Sequence, residues 1–339
     1  MKKSKFLKKG SIIGVCAPSS GFEEKPFVDM CNLSKEKLNN LGYEVKFSES
    51  CFNNLHGRSN TKKKRSEEFL NLYFNDEIDI IISLSGGEYE MEILDELNLN
   101  KIKRCSKPKL FCGCSDNSIL TFLMTTYCDL KTVYGHNFYE ICIEHKVIDD
   151  YLEFLSGKSV LNKEIVNVSK NDYSWNMQEA QTKYIIDYKN HWKVKPDIKV
   201  DVTGMVIGGL LDDLIHICGT KYDKMKKFIK KYSEYGFIWY FDICTIEPEI
   251  VKRSFWQLKN AGWFKNAKAI IIGRPINQSD SFGITYYDNI YDELSSLNIP
   301  IIFDYNVGHI PPSYHFYNGS IARLLIDSEE KSLEYLKDD

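Results

Sequence analysis

The sequence predicts an α/β protein built on a parallel β-sheet, with a second α/β region following it. Three observations lead there. Short apolar runs read continuously instead of alternating with polar residues, which marks strands buried on both faces. Helix-like stretches separate those runs, and several runs end in small or polar residues.

Residues 11–17 (SIIGVCA) form the first apolar run and end in the turn cluster Pro18-Ser19-Ser20-Gly21. Residues 27–41 carry apolar side chains near helical spacing and stop at Gly42, an apt C-terminal cap. A second strand is expected over 43–47, a charged helix over 60–74, and an unbroken β-branched strand over 78–84 that meets Ser85-Gly86-Gly87. Another short strand, 109–113, precedes a helix-like stretch at 117–126. Ligands of parallel sheets bind beyond the carboxyl ends of the strands. The ends at 18–21, 85–88 and 114–117 are therefore the first functional pointer.

From about 162 to 200 the pattern loosens into polar residues around Trp175 and Trp192. A second α/β pattern starts at 202–209 and continues through a strand at 236–241, a helix near 249–261, and strands at 267–272 and 299–303. A Gly-His-Ile-Pro-Pro loop follows at 308–312, and the charged stretch 329–339 reads as a solvated tail. The expected domains are 1–165, a connector at 166–200, and 201–335.

The chain has 339 residues, 43% hydrophobic and 27% charged, which fits about two globular domains and excludes extensive disorder. Its 44 basic and 47 acidic residues leave a formal charge of −3, so no electrostatic footprint points to nucleic acid. No apolar run reaches the about 18–20 residues of a membrane helix. The lysine-rich start resembles a secretion signal only superficially, because Lys8, Lys9 and Gly10 interrupt its apolar part; it reads as a lead-in to a strand. Ten scattered cysteines, several inside apolar runs, show no zinc spacing and suit a reducing cytoplasm.

Gly113-Cys114-Ser115-Asp116-Asn117 follows a strand and opens a helix. That is the setting of a nucleophile elbow, whose sharp turn lifts a hydroxyl above the sheet edge. Asn117 stands where the pattern has its second glycine, and asparagine tolerates positive φ. The Asp116 amide would then face an oxyanion near Ser115. Helix capping by Ser115 or Asp116 is the competing reading. Gly86-Gly87 either supplies a second oxyanion donor or forms an ordinary tight turn.

A hydroxyl nucleophile needs a base and a group that orients the base. Of seven histidines, His309 is best placed, in the proline-stiffened loop. His56, His145, His191 and His315 have polar surroundings and read as surface residues; His216 reads as partly buried on an amphipathic helix, and His136 as a loop residue able to line a cleft. For the orienting carboxylate, Asp242 ends an apolar strand, with Glu247 and Glu249 as competitors.

These residues carry a resemblance to the LD-carboxypeptidases, the serine peptidase group that includes the microcin C immunity peptidases. It rests on Gly14 to Ser20, Ser85-Gly86-Gly87, Gly113 to Asp116, Gly204 to Gly209, Gly219-Thr220, Asp242 to Trp263, Ile272 to Pro275 and Asp304 to Pro312. The resemblance implies a flavodoxin-like N-terminal domain and a smaller C-terminal α/β domain of swivelling type. A Ser/Glu/His triad would be divided between them. Carried over by position, Ser115 is the nucleophile, His309 the base, and Gly87 and Asp116 the oxyanion donors. The family's Glu is Asp242 here, one methylene or roughly 1.5 Å shorter, with Glu247 as a substitute if its loop folds back. The family's Gly-Gly-Asn-Leu reads Gly208-Gly209-Leu210-Leu211.

The implied function is a cytoplasmic, homodimeric serine hydrolase needing no metal or organic cofactor. Its substrate would be a small peptide, either a muropeptide or a peptidyl-nucleotide antibiotic, and neither nucleic acid nor membrane is an expected partner. Gly86 and Arg274 are candidate substrate contacts, Arg274 either binding a carboxylate or making a structural ion pair. Trp175 or Trp192 would stack a nucleobase or serve as core or lid. The alternative is a non-catalytic muropeptide- or peptide-binding homologue, which Asp242 in place of Glu and the lost Asn favour.

Overall fold

Runs of β-branched residues pair in parallel to make the first sheet. The computed structural model describes all residues except 3, 175, 176, 281 and 337–339. The chain divides into two units, Met1–Lys158 with Tyr173–Tyr184, and Ser159–Asp172 with Ile185–Asp339.

In the first unit, β1 (Ile12–Cys16), α1 (Lys25–Asn40), β2 (Glu44–Phe47), α2 (Lys62–Phe74) and β3 (Ile80–Ser83) alternate strand and helix. Then come α3 (Leu99–Arg104), β4 (Leu110–Gly113), α4 (Ser118–Thr126), β5 (Thr132–Tyr134) and α5 (Lys146–Leu155). The strand order is β5-β4-β3-β1-β2, parallel throughout. Ile80, Ile81 and Ile82 are wholly buried, as strands covered on both faces must be. α1 buries Met30, Cys31, Ser34 and Leu38, one stripe at helical spacing, while α4 is buried along all nine residues. Parallel pairing brings the carboxyl ends of β1, β3, β4 and β5 to one edge.

The second unit contains short strands β6 (Leu161–Lys163), β7 (Asn167–Val168), β8 (Tyr188–Lys189) and β9 (Lys193–Lys195), then the long β10 (Val200–Leu210). It continues with α6 (Leu211–Ile217), α7 (Met225–Lys231), β11 (Phe237–Asp242), α8 (Pro248–Asn260), β12 (Ala267–Gly273), α9 (Tyr286–Leu294) and β13 (Ile301–Tyr305). β14 (Phe316–Asn318), β15 (Ile321–Ile326) and β16 (Lys331–Tyr335) close the chain. Its sheet runs β6-β16-β15-β10-β11-β12-β13-β9. β10 to β13 pair in parallel, and antiparallel strands flank them. The polar strands β7 and β8 pair separately.

Two expectations are overturned here. The charged ending is no solvated tail over its described part: Ser332, Leu333 and Tyr335 are buried as β16 pairs with β15 and β6. Leu333 and Tyr335, two residues apart on one face of the strand, carry its apolar burial, a spacing that the charge count hides. His315 is wholly buried instead of lying on the surface, because it leads into the buried β14.

Candidate active site

Ser115 lies on the three-residue turn Ser115–Asn117, between β4 and α4. Its φ is +61°, a left-handed conformation that costs a non-glycine residue on the order of 1–3 kcal/mol. Strain of this kind is expected of a nucleophile elbow. Asn117, by contrast, has φ −63°, so the missing glycine of the pattern is needed at no positive-φ position. Gly113 explains the difference: a Cβ there would fall 2.9 Å from Asn117 Cβ, so the small residue makes room for the asparagine.

Around the elbow, the Ser115 amide donates to the Tyr134 hydroxyl at 3.2 Å. Asp116 is buried, and its carboxylate accepts from the Ser19 hydroxyl and, at 2.8 Å, from the Glu90 amide. Burial pushes the Asp116 carboxyl up, while the Ser19 and Glu90 hydrogen bonds pull it down. Asp116 does not cap α4 with its side chain; the buried Glu90 does so by accepting from the Leu120 amide at 3.1 Å. A Cβ on Gly86 would sit 2.7 Å from Ser115 Cβ, so that backbone lies directly against the serine. Gly87 has φ +149°, and a Cβ there would collide with the Ser19 and Ser20 hydroxyls. The Ser20 amide and hydroxyl both donate to the Gly86 carbonyl, at 3.1 and 3.0 Å. Gly86, Gly87, Ser115 and Asp116 are thus one local cluster.

In the second unit β11 ends at Asp242, which is completely buried. His309 Nδ1 lies 2.8 Å from Asp242 Oδ2. Between them in sequence terms stands Gly308, with φ +116°; a Cβ there would lie 2.9 Å from Asp242 Cγ. Only a glycine lets the backbone close over the carboxylate. Burial opposes charging of the His309 imidazole, but the Asp242 carboxylate and the Cys244 thiol raise its pKa well above the usual histidine value. Burial raises the Cys244 thiol, and His309 pulls it back down. The Asp212 carboxylate holds the same turn, accepting from the Cys244 amide at 3.2 Å and the Thr245 amide at 3.1 Å.

The remaining candidates take other places. Arg274 is buried and donates to the carbonyls of Ser169 (2.7 Å), Ile310 (3.1 Å) and Pro311 (3.3 Å). Through these bonds it anchors the loop carrying His309. Desolvation pulls its pKa down to about 10, against the opposing Asp304 charge. Glu247 is exposed and accepts from Asn277 at 2.8 Å, so Asp242 is the carboxylate beside His309. His136 is buried next to Glu140, His145 accepts from the Val147 amide at the start of α5, and His216 is exposed, not partly buried. Its helix, α6, is only seven residues long, too short for a helical stripe to locate the buried face. Trp192 is a core residue, stacked on Tyr305 at 4.1 Å with Nε1 donating to Asn306. Trp175 lies outside the described residues. Tyr134, Asn137 and Glu90 were not found from sequence, since each meets the Ser115 turn across a gap in the chain without any local motif.

Among the described residues no group of three or more His, Cys, Asp or Glu is arranged to hold a metal ion, and no helix is long and apolar enough to cross a membrane. Comparison with known proteins adds the family. Residues 13–135 match the LD-carboxypeptidase N-terminal domain and 203–324 the LD-carboxypeptidase C-terminal domain. The microcin C7 self-immunity protein MccF of Escherichia coli is 26% identical over 287 residues, covering 81% of this chain and 79% of MccF. A Bacillus subtilis protein named "Probable murein peptide carboxypeptidase" is 23% identical over 336 residues, covering 97% and 93%. The structure of MccF in complex with glutamyl sulfamoyl guanosine superposes with a TM-score of 0.81 at 22% identity, over 99% of this chain and 98% of MccF, which establishes the mixed α/β fold. The chain belongs to the LD-carboxypeptidase family, peptidase family S66.

Proposed function

We propose that this protein is a serine hydrolase that cleaves an amide bond in a small peptide substrate, with Ser115 as nucleophile, His309 as base and Asp242 as the carboxylate that orients it. The observation that carries the reading is the 2.8 Å approach of buried Asp242 to His309. A carboxylate on Nδ1 selects the tautomer in which Nε2 takes a proton, and it stabilises the imidazolium that results.

In this mechanism Ser115 Oγ attacks the substrate carbonyl carbon as its proton passes to His309 Nε2. The tetrahedral oxyanion rests on the amides of Gly87 and Asp116, which act on charge developing in the transition state. His309 then returns the proton to the leaving amine as the C–N bond breaks. Water, deprotonated by the same imidazole, hydrolyses the acyl-enzyme. General acid–base catalysis of this kind is worth roughly 10²–10⁴-fold.

Two substrate classes are proposed by analogy with the relatives: a muropeptide, as the name of the murein peptide carboxypeptidase suggests, and an aminoacyl sulfamoyl nucleoside of the kind bound by MccF. A reducing cytoplasmic setting is part of the proposal, argued from ten cysteines scattered along the sequence, several inside apolar runs. Turnover of an L,D-tetrapeptide and of glutamyl sulfamoyl guanosine by wild type and Ser115→Ala tests the reading. Cleavage of either compound by wild type only is expected. Binding of a muropeptide without any turnover would favour the non-catalytic alternative.

A further inference from the structure

We propose that Asn117 and Asn137 are positioning residues of the nucleophile, a buried pair of amides that holds Ser115 in its strained conformation and fixes it against the Gly86-Gly87 backbone. The proposal rests on the reading of Ser115 as the nucleophile.

A residue with φ +61° persists only where its surroundings over-determine it. Here the peptide groups leading into Ser115 are held by side chains. The Cys114 amide donates to Asn137 Oδ1 at 3.1 Å, and the Cys114 carbonyl accepts from Asn117 Nδ2 at 2.9 Å. Asn117 Nδ2 also donates to the Ser85 carbonyl at 2.9 Å and to Asn137 Oδ1 at 3.2 Å. All three partners are acceptors, which sets the orientation of the Asn117 amide.

The pair therefore joins the carboxyl ends of β3, β4 and β5. Through Ser85 it reaches the residue before Gly86, whose backbone lies against Ser115. Asn137 is itself locked: its amide donates to Glu140 Oε2 at 2.9 Å, and its side chain accepts from the Glu140 amide in a reciprocal capping box. Asn117 is 0% exposed and Asn137 3%, so both amides are shielded from bulk water. A glycine at 117, the residue the elbow pattern has there, would leave the Ser85 and Cys114 carbonyls without this donor.

The test uses the purified full chain and a fluorophosphonate probe, which forms an Oγ–P bond as the P–F bond breaks and the hydroxyl proton leaves. Labelling at Ser115 is timed in wild type, Asn117→Ala and Asn137→Ala, with Ser115→Ala as control and thermal melting alongside. The expected result is labelling slowed roughly 10- to 100-fold, the effect of a small misplacement of a reacting group, with kcat on the cleaved substrate reduced in parallel and KM within about twofold of wild type. A role limited to stability would lower the melting temperature but leave labelling and kcat unchanged below it, and that result overturns the proposal. Should Asn137→Ala fail to fold, Asn117→Ser decides by the same criterion. Equal labelling of wild type and Ser115→Ala would instead refute the nucleophile reading, and the clamp with it.

Discussion

Asp242 Oδ2 lies 2.8 Å from His309 Nδ1 with the Gly308 backbone closed over the carboxylate, at the position where the resemblance implies a glutamate one methylene longer. The sequence alone posed this shortfall as a problem. Within the second unit it is met by the approach of the 308–309 backbone to the end of β11, which also removes the space for a longer side chain. Asp242→Glu should accordingly not raise activity. An extra methylene in this packed site should destabilise by about 1–3 kcal/mol, measured by denaturant unfolding. Gly308→Ala should lose stability by a similar amount, from strain at φ +116° and from contact with Asp242.

The raised His309 pKa has a consequence for activity. The imidazole must be unprotonated to act as a base, so kcat/KM should rise with pH through an apparent pKa above the ordinary histidine value of about 6.5. Asp242→Asn should move that limb to lower pH and reduce kcat by roughly 10²–10⁴-fold. A limb that stays in place after Asp242→Asn would separate the carboxylate from the titrating group.

The same shift bears on stability. A group whose folded pKa is raised contributes stability that is fully present below its unfolded value and lost as pH climbs through the folded value. His309→Gln should therefore be more destabilising at pH 5.5 than at alkaline pH, as read from unfolding curves at the two conditions. A difference that is constant with pH would contradict the assignment.

Ser115→Gly offers a test in which function and stability part. Glycine adopts positive φ at little cost, so this variant should lose catalysis yet gain stability by about 1 kcal/mol relative to Ser115→Ala. Equal stability of the two variants would show that the turn is not strained.

Arg274 holds three carbonyls of and near the His309 loop, so Arg274→Ala should lower the melting temperature and kcat together. The fold-loss in kcat should be the same for a substrate with a free terminal carboxylate and for its amide. A loss confined to the carboxylate form would restore the clamp reading.

Much of this arrangement could be read from residue order. Residues 11–17 anticipate β1 at Ile12–Cys16, residues 236–241 anticipate β11 at Phe237–Asp242, and residues 249–261 anticipate α8 at Pro248–Asn260. Continuous apolar runs announce such strands, and the candidates Ser115, Asp242 and His309 are picked out by their place after β4, at the end of β11 and in the loop after β13. What escaped has a common cause. Glu90 caps α4 across 30 residues, Asn137 binds Cys114 across 23, and Gly308 meets Asp242 through tertiary folding alone. No local period encodes such contacts. The burial of Leu333 and Tyr335 was locally visible as an alternation, but neighbouring charges outweighed it.

Product formation from glutamyl sulfamoyl guanosine and from an L,D-tetrapeptide, followed by chromatography with wild type and Ser115→Ala side by side, bears on the central claim most directly. Wild type should release product from at least one of them, with Ser115→Ala slowed by at least about 10³-fold. Cleavage by Ser115→Ala at the wild-type rate would contradict it.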